Sequence, residues 1–286
     1  ASFLKVQDMF TEVQDFDLVF SDFADYLEEN NVKYCEAFFA PSSFIKKGFS
    51  YKDMVENFSK NIAKIKSEKN ITIKLLVDVS RTFGLENAQE NYEMMKAFPS
   101  SDIIGIGLGG NEIKGPCNLF GPVFVQAHKD GFHAVAHAGE DAGPESIWDA
   151  VKILHSERIG HGITAVQDKE LMEYISKNKI PLEICPTSNV FTKKYVKTMS
   201  EHPVRQLYDN GVLVTIGSDD PVFFNTTVNE EYWNLYSKLS FTTDEIEDLI
   251  CNSFKASFLA ETEKENYIQE VKKIFTDFKT QQPELF

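Results

Sequence analysis

The sequence predicts an α/β fold of the (β/α)8 TIM-barrel type, with strand one missing from the front of the chain. Three observations predict it. Seven short β-rich runs alternate with helical text, which implies a mostly parallel sheet with right-handed crossovers. The chain opens on a helix, where a closed barrel of eight strands opens on a strand. Polar residues gather at the C-terminal ends of the runs, where barrel enzymes keep their sites.

The opening helix shows Val19, Phe20, Phe23 and Leu27 at helical spacing. The first β-rich run, residues 33–40, follows it. Ser50 and Asp53 then read as a capping box ahead of Val55, Phe58, Ile62 and Ile65. Six more strand candidates span residues 71–79, 102–108, 133–137, 158–162, 181–185 and 212–216. Pro144 and Pro203 stand where a first helical turn starts, and Gly131 and Gly211 where a helix ends before a strand. Ile147, Val151 and Leu154 form one apolar stripe, and Leu171 and Ile175 another. Two terminal helices are expected last, one opened by Thr242 and Glu245, one running through Ile268, Val271 and Phe275. No repeat or Pro/Gly/Ser-rich linker breaks the pattern, so residues 1–286 read as a single domain truncated at its N-terminus. An open barrel of seven strands leaves two unpaired edges. A doubly wound open sheet fits the same alternation.

The composition, 42% hydrophobic and 26% charged, supports a substantial core. A net charge of -15 opposes binding to phosphate backbones or anionic lipid, so nucleic-acid and membrane roles are not expected. It suits a neutral or cationic small molecule as partner. Cys35, Cys117, Cys185 and Cys251 are widely spaced with no CxxC pair, which favours reduced thiols and a cytoplasmic location. No apolar run reaches membrane-spanning length, and no signal-peptide pattern opens the chain. The first residue is Ala1 rather than Met, so the natural N-terminus is expected upstream or removed.

Four strand ends carry the candidate chemistry. They read His137-Ala-Gly-Glu140, Gly160-His161-Gly162, Ser218-Asp219-Asp220-Pro221 and Gly109-Gly110-Asn111-Glu112. Histidine and aspartate at strand ends are usual zinc ligands. Each motif alone has a blander reading. A lone strand histidine is more often structural, Asp-Asp-Pro is more often a helix N-cap, and Gly-Gly-Asn is usually a turn. Their joint placement is what argues for a site. His128, His133, His155 and His202 are assigned structural roles, His133 because it starts its strand and the others because they fall in helical or loop text.

These motifs, with Glu157-Arg-Ile-Gly-His-Gly162, Cys185-Pro-Thr-Ser-Asn189 and the tail Asn252-Ser-Phe-Lys-Ala-Ser-Phe-Leu259, resemble the back half of the adenosine deaminase family in order and spacing. The resemblance is strongest from about residue 100 to 260. It is fainter before that, where Glu36-Ala-Phe-Phe-Ala-Pro41 has Phe38 in place of a family arginine. The resemblance implies that His137 and Asp219 are metal ligands and that the cofactor is one Zn2+. It implies that Glu140 is the general acid at purine N1 and that His161 orients or deprotonates the metal-bound water. It also implies that Asp220 hydrogen-bonds purine N7, while the Gly110 backbone N–H meets N3. The chemistry is coherent. Purine C6 is a poor electrophile, and zinc can lower the pKa of bound water to about 7 to supply a strong nucleophile. A proton delivered to N1 is worth about 10²–10⁴-fold.

The pattern breaks at the first metal motif. The family's His-x-His does not occur in this chain, and two ligands are fewer than the three of a catalytic zinc. Weak zinc and little activity are therefore expected of a chain cut short or decayed. The leading expectation is hydrolysis of adenosine or deoxyadenosine to the inosine product and ammonia. The alternatives are an adenine or modified-aminopurine-nucleoside deaminase of the same family, or a non-catalytic barrel remnant. The adenine branch tends to carry Ser-Ser-Glu where this chain has Gly110, Asn111 and Glu112, and Asp where it has Gly160; both differences favour a nucleoside. Zinc cytidine deaminases are excluded, because Cys185-Pro186 has neither the order nor the second cysteine of their motif.

Overall fold

Parallel strands buried on both faces read as near-continuous apolar runs, and that is how the strands of this chain are built. A computed structural model describes residues 2–282, with side chains from residue 5 onward. All seven expected strands form: β1 (Tyr34–Phe39), β2 (Thr72–Asp78), β3 (Ile103–Leu108), β4 (His133–Ala138), β5 (Arg158–His161), β6 (Leu182–Ile184) and β7 (Val214–Ile216). Among the described residues the sheet has these seven strands in sequence order. Sequential order with parallel pairing is the barrel-type topology. It rules out the doubly wound sheet, whose strand order reverses at a switch point.

The chain divides into two compact units, Ala1–Ala136 with Lys152–His155 and His137–Val151 with Ser156–Phe286. In the first, Tyr34 pairs with Thr72 and Gly105 with His133, and the β2–β3 register shifts at Leu75 and Leu76. Ile73, Leu76, Val77, Ile106 and Leu108 are fully buried. The helices Asp15–Glu29 and Tyr51–Lys69 turn their aromatic stripes on this unit's core. Phe16 meets Phe44 and Phe58 with ring centroids 4.9 Å apart, both edge-on, and Phe58 meets Phe39 at 4.6 Å. Edge-to-face pairs of this kind are worth about 0.5–1.5 kcal/mol each beyond area burial. Ser50 caps the second helix by accepting the Asp53 N–H at 3.3 Å.

In the second unit Ile159 pairs with Leu182, and Leu182 with Val214. The Gly162 N–H donates to Ala138 O at 3.0 Å, tying the end of β5 to the last residue of β4. Pro144 opens the helix Pro144–Lys152 as expected. The terminal region differs from expectation. Besides Thr243–Ala256 and Glu261–Gln281, two more helices form, Pro221–Phe224 and Val228–Leu239. The second of these is a real amphipathic helix. Thr227 caps it by accepting the Glu230 N–H at 3.1 Å, and it buries Leu235 and Leu239. Thr242 and Glu245 do form a reciprocal capping box. No helix among the described residues is long and apolar enough to cross a membrane.

Candidate active site

Three strand ends of the second unit converge on one set of side chains. His137, half-buried, is the next-to-last residue of β4, and Glu140 follows two residues after the strand. His161 ends β5 with only 3% of its surface exposed. Asp219 and Asp220 lie just past β7. His161 has φ 62° and Asp219 φ 57°, the left-handed region that costs a non-glycine residue about 1–3 kcal/mol and survives where surrounding contacts over-determine it. Such strain clusters at functional sites.

The contacts that hold these residues are short. His161 Nε2 lies 3.3 Å from Glu140 Oε2. The His137 and His161 rings are 5.1 Å apart between centroids. His161 Nδ1 meets the side-chain amide of Asn189 at 3.1 Å. Ser188 Oγ donates to Asp219 Oδ2 at 2.6 Å and so aims that carboxylate. A Cβ added at Gly160 would stand 3.2 Å from His137 Cγ, so the bare backbone there lets His137 pack directly on β5. Four of the five expected residues of this unit thus interlock, and Asp220 stands next to Asp219.

Charge in the site is unevenly held. Burial, with the Asp219 carboxylate second, pushes the Asp220 carboxyl up to about 6. Burial and Asp219 together push the Cys185 thiol well above its ordinary range. One donor atom each from His161, Cys185 and Asp219 lie within 4.8 Å of one another.

Gly110 belongs to the first unit, beyond the end of β3, with φ 100°. A Cβ there would fall 2.4 Å from Thr82 Oγ1, and the positive φ suits glycine. The neighbouring Asn111 N–H donates to Thr82 Oγ1 at 3.3 Å.

Four residues of the site were not singled out from sequence. Ser188 and Asn189 sit in the quoted Cys-Pro-Thr-Ser-Asn motif, which was the available signal. Glu231, fully buried, accepts the Thr187 N–H at 3.1 Å and the Thr226 hydroxyl at 2.7 Å from the helix Val228–Leu239. Burial raises its pKa, against those hydrogen bonds. His202, expected to be structural and in loop text, is buried and hydrogen-bonded, and its Nε2 lies 3.2 Å from Asn189 Oδ1, one residue removed from His161. Nothing local in the sequence marks that contact.

The adenosine deaminase family pattern matches residues 1–274. An adenine deaminase of Acinetobacter baylyi is 35% identical over 262 residues, 91% of this chain and 78% of the relative. An aminodeoxyfutalosine deaminase of Streptomyces avermitilis is 36% identical over 262 residues, 90% of this chain and 72% of the relative. A crystal structure of a Burkholderia ambifaria amidohydrolase with bound Zn superposes with a TM-score of 0.91 at 21% identity, over 96% of this chain and 77% of its own, a likeness of fold.

Proposed function

Because the chain belongs to the adenosine deaminase family, we propose that it hydrolyses the 6-amino group of a purine, releasing ammonia and leaving the 6-oxopurine. The observation that carries this reading is the Glu140–His161 pair at 3.3 Å, on adjacent strand ends beside His137 and Asp219. A carboxyl group aimed into the site can hand a proton to purine N1 as water attacks C6. The amino group then leaves as ammonia once it too is protonated, and the elements of water balance the change. Asp220 is suited to bind the imidazole edge of the purine at N7.

The expected zinc is tested by the donor set. His137 and Asp219 supply an imidazole and a carboxylate, both zinc-type donors, and Ser188 holds Asp219 in one orientation. The set fits zinc in kind and is one short of the usual three in number. His137 and Asp219 would hold the metal, which when bound supplies a hydroxide nucleophile near neutral pH. The chain's own residues bind the purine, orient His161 and present the Glu140 carboxyl as the proton donor to N1.

For the substrate, the relatives' names broaden the adenosine expectation to other 6-aminopurines. A modified aminopurine nucleoside is the favoured reading. The 36% identity to an aminodeoxyfutalosine deaminase supports it, as do Gly110 and Gly160 themselves, which stand where the adenine branch tends to carry Ser and Asp. The 35% identity to an adenine deaminase keeps free adenine as the second reading. Ammonia release from adenosine, adenine and an aminopurine with an altered sugar, compared at equal concentration with zinc in excess, separates them. A kcat/KM highest for adenine would overturn the favoured reading.

A further inference from the structure

The tautomer of His161 is dictated by a backbone amide two residues removed from it in a chain of hydrogen bonds. A backbone N–H can only donate, and the Val204 N–H donates to His202 Nδ1 at 3.1 Å. That nitrogen therefore carries no proton. His202 is 4% exposed, and burial, with the neighbouring His161 second, pushes its pKa down to about 3, so the ring is neutral. Its single proton must sit on Nε2, which donates to Asn189 Oδ1 at 3.2 Å. The Asn189 amide, wholly buried, then has its NH2 end facing His161 Nδ1 at 3.1 Å. His161 Nδ1 accepts, and a neutral His161 keeps its proton on Nε2, facing Glu140 Oε2 at 3.3 Å.

We propose that Asn189 and His202 are positioning residues that fix His161 as the Nε2–H tautomer, so that it meets the reacting groups as a hydrogen-bond donor and not as a base. The reverse arrangement fails inside this chain of contacts. Turning the Asn189 amide sets its NH2 against the His202 Nε2–H. Moving the His202 proton to Nδ1 then sets it against the Val204 N–H. Each choice leaves two donors facing in a buried space, which is costly. Of the two roles open to His161, orienting the attacking water and deprotonating it, only the first suits this tautomer. The consequence for catalysis rests on the deaminase reading above, while the tautomer itself does not.

The test is the ring-nitrogen NMR spectrum of the whole chain labelled with 15N-histidine, with His161 assigned by its loss in His161→Gln. The expected result is an Nε2–H pattern for both His161 and His202 at neutral pH. In Asn189→Asp the carboxylate can only accept, so His161 should gain a proton at Nδ1. His202→Gln, which keeps a donor for Asn189, should retain the Nε2–H pattern, and His202→Leu should give mixed tautomers. In an active preparation Asn189→Asp should lower kcat by about 10²-fold or more with KM little changed, as expected of a wrong tautomer. An Nδ1–H or imidazolium His161 in the unsubstituted chain, or an unchanged pattern in a folded Asn189→Asp, would overturn the proposal. The spectrum of the unsubstituted chain decides this without any variant having to fold. A correct tautomer in a protein that deaminates no aminopurine would overturn the activity and leave the relay standing.

Discussion

In the first unit, Phe16 lies among Phe39, Phe44, Phe49 and Phe58, and the buried space between helix and strand is filled by ring edges. In the second, the buried space around His161 holds Asn189, Ser188, His202 and Glu231, every one of them hydrogen-bonded. Aromatic packing is non-directional and tolerant in detail. A buried polar network is satisfied only as a whole, and one missing partner leaves a desolvated group exposed to the full cost. The first arrangement stabilises; the second costs about as much to assemble as it returns, and what it yields is fixed orientation at strained residues such as His161 and Asp219.

The contrast can be broken by substitution, beginning with the largest effect. Glu140→Gln should lower kcat for 6-aminopurine hydrolysis by about 10²–10⁴-fold with little change in the unfolding midpoint. Turnover near that of the unsubstituted enzyme would remove Glu140 from the chemistry. Phe58→Ala should do the opposite. It removes the ring that packs on Phe16, Phe20 and Phe39, costing about 3–5 kcal/mol in denaturant unfolding and leaving the His161 tautomer unchanged in whatever fraction stays folded. A loss under about 1 kcal/mol would show that the cluster does not hold its unit together.

The polar region should also be the acid-sensitive one. His202 ordinarily titrates at 6.5, and in the folded chain burial holds it near 3. Between those values the unfolded chain takes up a proton that the folded chain refuses. This contribution to stability is whole above pH 6.5 and is lost as pH falls toward 3, at ~1.4 kcal/mol for each pH unit crossed. Urea midpoints measured against pH should fall less steeply in His202→Gln than in the unsubstituted chain. Identical slopes would mean that His202 is not held neutral. The smallest effect is expected far from either core, at the capping box that opens Thr243–Ala256. Thr242→Ala should cost about 1 kcal/mol in thermal unfolding and leave turnover unchanged.

Much of this was legible in the sequence because it is local. Each strand was signalled by its own apolar run, and the helix starts at Ser50, Pro144 and Thr242 by the chemistry of their caps. The placement of His137, His161 and Asp219 at strand ends followed from strand boundaries alone. What escaped is set by contacts between distant segments. The helix Val228–Leu239 hides Glu231 among residues that read as polar surface, and only its packing against Thr187 shows why a carboxylate lies there. His202 reads as a loop residue before a proline, and its role comes from a turn that returns it to Asn189 thirteen positions back. The adenosine expectation was narrower than the motifs warranted, since the site residues address the purine ring, and the relatives differ in what that ring carries.

The central claim is that the site around Glu140 and His161 removes the 6-amino group of a purine. Its most direct test is ammonia release by the product of the gene encoding this chain, with zinc in excess, from free adenine, adenosine and an aminopurine nucleoside with an altered sugar. The account predicts equal amounts of ammonia and 6-oxopurine from at least one of them, fastest from the modified nucleoside and nearly abolished by Glu140→Gln. Ammonia from none of the three, or release that survives Glu140→Gln unchanged, would contradict it.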